Sequence, residues 1–213
     1  MTQPADTAAD LADLYAFLSG VLADPPSEAA VDRLASEQLP TDASPQALAN
    51  GYRLLSKWQS TVSDPAEEAD RLKRVHTRLF VGPRPKMQAH ESWYADDYLG
   101  EPLAAVKQTY RDLGIEHSEH LREEPDHVAV ELAALEMLAR DGADDYRRAF
   151  LSAHGWWLPA AAADIKELTD DTFYEAVGWL AEGAVEADAY LLGLELDDLA
   201  PSYLDTGTPR TEP

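Results

Sequence analysis

At 213 residues and 45% hydrophobic content, the chain has enough material for one sizeable core or two small lobes. It has no cysteine, which excludes disulfide frameworks, thiolate metal sites, iron–sulfur clusters and cysteine-based catalysis. Forty acidic residues stand against 17 basic ones, a net charge of −23, and no basic stripe appears that would neutralise the phosphates of a nucleic acid. The acids are spread over nearly every expected element. They therefore read as a hydrated, lysine-poor surface suited to a salt-rich cytoplasm rather than as a site for a basic ligand. No run approaches the roughly 18–20 apolar residues of a membrane span. The stretch from Met1 to Asp6 lacks the basic and apolar regions of a signal peptide, so a cytoplasmic protein is expected.

In chain order, residues 1–9 read as a flexible N-terminus and the first helix runs from about Asp10 to Ala23. Leu11, Leu14, Tyr15, Leu18, Val21 and Leu22 fall on one of its faces. Asp24-Pro25-Pro26 stops it, and Ser27 caps a short second helix reaching about Gln38. Ser44-Pro45 starts a third, with Leu48, Tyr52, Leu55 and Val62 on its buried side. Asp64-Pro65, with Glu67 three residues after the cap, opens a fourth that buries Leu72, Val75, Leu79 and Phe80.

Residues 81–101 break the rhythm, because Gly82-Pro83-Arg84-Pro85 forbids helix. Connections in compact domains usually take about 4–6 residues. With Met87, Trp93, Tyr94 and Tyr98 aboard, this one reads as a packed, functional loop. Pro102 then opens a fifth helix closed by Gly114. A polar linker at about 115–125, carrying His117 and His120, follows as a candidate hinge. The sixth helix runs from Pro125 to Asp141-Gly142, the seventh from Ala143 to Ala153, and the eighth from Leu158 to Leu168. Asp170 or Asp171 caps a last helix with Phe173, Val177, Leu180, Ala184, Ala187 and Leu191 in register. Residues 196–213 form a polar tail. The expectation is an all-α domain over 10–195, of about nine helices in two lobes joined by the hinge.

Few residues form a pattern that could carry chemistry. His127 and Glu131 are four apart, the spacing of a two-ligand metal contribution, but nothing nearby completes a set. Asp126-His127 reads either as an acid–base pair or as groups at a helix start that satisfy N–H groups and the dipole. A helical hydrolase using Asp126, His127, Glu131 and Glu123 is the enzymatic alternative. The 11 glycines form no phosphate cradle, serine elbows are absent, and no cofactor or metal is expected. Trp156-Trp157 and Trp179 read as core or groove-wall aromatics. Leu79, Phe80, Trp93 and Tyr94, where a helix end meets the loop, are the exposed candidates for recognition. An aromatic groove rimmed by carboxylates would suit an amphipathic segment carrying arginines.

Three separated motifs make the chain resemble the TorD/DmsD/NarJ family of redox-enzyme maturation chaperones. Arg78-Leu79-Phe80-Val81-Gly82-Pro83 with Glu91-Ser92-Trp93-Tyr94 is the first, and Glu123-Glu124-Pro125-Asp126-His127 running into Glu131-Leu132 is the second. Phe150-Leu151 with His154 and Trp157, then Phe173-Tyr174, is the third. The resemblance implies an all-helical, TorD-like protein without catalytic turnover. Such a protein binds the twin-arginine signal peptide or N-terminus of a molybdopterin oxidoreductase subunit, holds it for cofactor insertion and prevents premature export. It also implies a peptide site of Leu79, Phe80, Ser92, Trp93 and Tyr94, with Glu123, Asp126 and His127 from the hinge. A monomer or a domain-exchanged dimer would fit. His76 and Arg84 stand where family members often carry aromatics.

Overall fold

Apolar side chains recurring at helical spacing, punctuated by Asp-Pro, Ser and Gly signals, produce an all-α structure. The computed structural model describes residues 8–82, 84–116 and 123–201. Its helices are α1 (Ala8–Ala23), α2 (Glu28–Ser36), α3 (Gln46–Gln59), α4 (Pro65–Phe80), α5 (Glu91–Tyr94), α6 (Glu101–Leu113), α7 (Val128–Arg140), α8 (Asp144–His154), α9 (Leu158–Leu168) and α10 (Thr172–Leu192). The α5 helix is a single turn; the other nine match the expected number. No strand occurs among the described residues, and no helix there is long and apolar enough to cross a membrane.

The caps follow the sequence signals. Ser27 accepts from the Ala30 N–H at the start of α2, and Asp64 from Ala66 and Glu67 at the start of α4. Asp171 accepts from Phe173 and Tyr174 at the start of α10, and Gly114 closes α6 in the left-handed region at φ 68°. Three boundaries differ from expectation. The α3 helix begins at Gln46, with Pro45 extended and no side-chain cap, and it ends before Val62. The chain at 91–94 forms the turn α5 where irregular structure was expected. The α7 helix starts at Val128, three residues later than the proline signal suggested.

One apolar core holds the described helices together, running from Leu11 to Leu192. The α1 helix packs on α7, and α10 packs on α3, α9 and α1. Segments on both sides of the expected hinge thus share a core. Hinge residues 117–122, including His117 and His120, lie outside the described residues, as do residues 1–7, Pro83 and residues 202–213. The α3–α10 contact is close enough to need glycine. A Cβ on Gly183 would lie 2.6 Å from the Leu48 backbone nitrogen, and one on Gly51 2.6 Å from Leu180 Cγ.

The segment after α4 is packed, not loose. The Lys86 and Met87 N–H groups donate to Arg78 and Leu79 at 3.2 and 3.0 Å, so the chain turns back along the end of α4. It then pairs with the approach to α7. His90 and His127 form an isolated antiparallel bridge, with Val128 N–H donating to Ala89 O at 2.8 Å and Glu91 N–H to Asp126 O at 2.9 Å. Two motifs some 35 residues apart are thereby locked into one place.

Candidate functional site

The site grows from that bridge. Because the pairing buries the backbone of 89–92 against 126–128, the side chains beneath it are sealed, and most of them are polar. Glu91, Ser92, Asp126, Glu131 and His154 have no exposed surface. Buried polar groups are tolerated mainly where they find partners, and most of these do, the Ser92 hydroxyl and Glu131 Oε1 being the exceptions. Glu91 accepts from Trp156 Nε1 at 2.8 Å and lies 2.9 Å from His154 Nδ1. His154 presents its other ring nitrogen to Thr109 Oγ1 at 2.9 Å. Glu131 accepts from Trp157 Nε1 at 2.9 Å, and Tyr110 donates to Pro125 O at 3.1 Å. Asp126 accepts from the Ser92 N–H at 3.2 Å and sits 3.3 Å from His90 Nδ1.

Two carboxylates meet in this cluster. Burial, reinforced by the nearby charge of Glu91, pushes the Glu131 carboxyl well above its ordinary range. A side-chain hydrogen bond with Glu91 adds to the same upward shift. Glu131 Oε1 has no hydrogen-bond donor facing it. Asp126 shows the opposite balance. Burial works to raise it, but hydrogen bonds from His90 and Ser92 outweigh burial and lower it. Burial and the neighbouring His90 depress His127 to about 3, so its ring is neutral. Its Nδ1 accepts from the Ala129 N–H at 3.2 Å. His127, not Asp126, is the cap of α7.

The exposed side of the same segment is apolar. Trp93, Tyr98 and Leu99 are each about half exposed, at 52%, 51% and 46%. Trp93 meets Tyr98 edge-to-face at 6.2 Å, Tyr98 meets His90 at 5.6 Å, and His90 meets His127 at 5.1 Å. Asp96 and Leu99 adopt positive φ (56° and 58°), conformations rare for such residues, and the turn they make presents the aromatics outward. Exposed Asp96 and Asp97 lie within this segment, half-buried Glu123 adjoins it through His127, and exposed Glu124 pairs with Lys107 at 3.8 Å. Glu123 lies 3.9 Å from His127 Nε2.

The expected site residues divide into three groups. Ser92, Asp126 and His127 come together as a buried foundation, and Trp93 is exposed above it. Tyr94 is half-buried, donating to Asp164 at 2.6 Å and packing on Trp157 at 5.2 Å. Phe80 is half-buried against His76 and Tyr174. Leu79 is a correction: it is 2% exposed, because it continues the Leu72–Val75–His76 stripe of α4 into the core. Asp126 and Glu131 are sealed from any substrate, and His127 spends Nδ1 on its cap, so the trio does not form an open catalytic or chelating set. Among the described residues no three His, Asp or Glu side chains converge on a metal position. The roles of His90 and Thr109 escaped the sequence reading, which took Tyr98 only as one aromatic of a packed loop. Their motif-free positions carry no signal until the bridge forms.

Residues 45–182 match the model of the family described as nitrate reductase delta subunit. The chain belongs to this family, the NarJ/TorD family. A chaperone protein TorD from Vibrio parahaemolyticus serotype O3:K6 (strain RIMD 2210633) is 31% identical over 120 residues. That match covers 47% of this chain and 56% of the relative, so the chain spans little more than half of that protein's length.

Proposed function

We propose that this protein is a maturation chaperone that binds the twin-arginine signal peptide or N-terminal segment of a molybdopterin oxidoreductase subunit. It holds that client in the cytoplasm for cofactor insertion and masks the signal from premature export. Family membership and the TorD relative support a chaperone role. The observation that carries the binding site is the outward Trp93–Tyr98–Leu99 surface, standing on a sealed polar foundation and bordered by carboxylates. Apolar residues of the client segment would cover the aromatics, while its arginines pair with Asp96, Asp97, Glu123 or Glu124. Arginine forks match carboxylates in a way lysine does not. In this reading Ser92, Asp126 and His127 hold the surface in shape, and Phe80 and Tyr94 support its edges.

The test is titration of the purified protein with a twin-arginine peptide and its Lys-Lys counterpart in high salt. Binding of the first, at least tenfold tighter than the second, is expected. No binding of either peptide, or of the mature subunit, would sink the reading. Co-purification with a partner polypeptide that contains molybdopterin identifies the client.

A further inference from the structure

A second surface has the opposite charge. Residues 71–90 contain six of the 17 basic residues and no acidic one, in a chain with 40 acids. The impression of a chain without any basic stripe is corrected at this point. Arg71, Arg74 and Arg78 are spaced three and four apart along α4, so they lie on one helix face. The return of the chain after α4, fixed by the Lys86 N–H to Arg78 O bond, brings Arg84 and Lys86 alongside them. Two adjoining hollows result, sharing Arg78. One, of about 380 Å³, is lined by Arg71, Arg74, Val75, Arg78, Asp170 and Asp171. The other, of about 610 Å³, is lined by Arg78, Val81, Arg84 and Lys86.

Part of this charge is already used. Arg71 is held by Glu68 and Asp171, and Lys86 donates to Leu168 O at the end of α9. Arg78 has only a loose pairing with Asp170 at 3.9 Å, both side chains being largely exposed. Arg74 and Arg84 are exposed and have no ion-pair partner among the described residues. Arginines near the end of a helix also complement its dipole, which accounts for Arg78. It does not account for Arg74 or for Arg84, which lies outside the helix.

We propose that this strip binds an extended, acidic segment of a partner polypeptide. Its shape favours a polypeptide over a phosphate group. The strip runs beside the carbonyl end of α4 and has no glycine-rich turn to cradle phosphate oxygens, and the helix N-terminus at its edge, that of α10, is already capped by Asp171, which accepts from the Phe173 and Tyr174 N–H groups. Arg74 and Arg78 are four helical residues apart, a rise of about 6 Å. Alternate residues of an extended chain are separated by about 6.5–7 Å. Carboxylates at every second position therefore meet successive arginine forks, and small side chains of the segment lie over Val75 and exposed Val81. The strip stands independently of the signal-binding reading, since Trp93 takes no part in it.

Fluorescence anisotropy with a labelled 12-residue peptide of alternating Glu and Ala tests this, with Gln replacing Glu in the control. At about 0.15 M salt the Debye length is about 8 Å, which screens repulsion from the acidic surface beyond the strip, while Asp171 and Asp170 at its edge face Arg71 and Arg78. The full-length protein is expected to bind the Glu peptide and not the Gln peptide. Arg74→Glu with Arg84→Glu should weaken binding at least tenfold, and the milder Arg74→Gln with Arg84→Gln severalfold, with unchanged circular dichroism. Trp93→Ala should leave it intact. Absence of binding, undiminished binding in both double variants, or displacement by tripolyphosphate or a short oligonucleotide would overturn the assignment.

Discussion

Between His90 and Leu99 the chain has two faces of inverted character. The inner face carries Glu91 and Ser92, fully buried and met from below by Asp126, Glu131 and His154. The outer face carries Trp93, Tyr98 and Leu99, each about half exposed. In an ordinary segment the polar side faces water and the apolar side is buried, because apolar area gains about 25 cal/mol per Å² when removed from water. Here a partnered polar network supplies the anchoring that apolar burial normally provides. The aromatics are left free for contact with something else. The proposed binding surface and its support are thus separable, and single substitutions should affect one without the other.

The largest effect is expected from Glu91→Ala. It leaves the donor of half-buried Trp156 and a buried ring nitrogen of His154 without partners, at about 1–3 kcal/mol for each lost group. Urea denaturation should show a loss of about 3–5 kcal/mol, and binding should fail together with folding of the segment. Trp93→Ala separates the faces. Stability should stay within about 0.5 kcal/mol, as for surface changes away from special features, while client-peptide affinity falls at least tenfold, about 1.4 kcal/mol. A comparable loss of stability in Trp93→Ala would show that the outer face is structural.

Glu131→Gln is the gentlest probe, because the amide mimics the protonated acid that burial favours. The folded state raises the Glu131 pKa above its ordinary 4.5. Above that pH the unfolded chain releases a proton that the folded chain keeps, so this group makes stability fall as pH rises, until the folded pKa is passed. The variant lacks that slope. Relative to wild type it should gain up to about 1.4 kcal/mol per pH unit above about pH 4.5. Parallel stability–pH curves for the two proteins would show that Glu131 is not the proton holder.

Much of the architecture was legible in the sequence because its causes are local. The caps at Ser27, Asp64 and Asp171 and the stop at Gly114 depend on neighbouring N–H groups and on backbone freedom, and they appear as expected. The start of α7 was misplaced for a tertiary reason. Pro125 and Asp126 resemble a helix opening, but Glu91 and Val128 draw the backbone into the bridge and leave His127 as the cap. Leu79 was misassigned for the opposite reason. Its place in the family motif suggested recognition, whereas its helical spacing from Leu72 and Val75 had already put it in the core stripe. The run of basic residues over 71–90 is legible in the sequence, but its charges join into one strip only when the chain turns back at Lys86.

By itself the sequence determined an all-α chain, most of its helix ends and, through three ordered motifs, its family. Those depend on periodicity, turn chemistry and composition, which act over a few residues. Only the tertiary structure decided which motif residues face inward. It buried Asp126 and His127 as support, left Trp93 outside with Tyr98 and Leu99, and assembled the cationic strip. These outcomes depend on long-range backbone pairing and on burial, which shifts proton affinities and settles which polar groups must find partners; neither can be read from spacing along the chain.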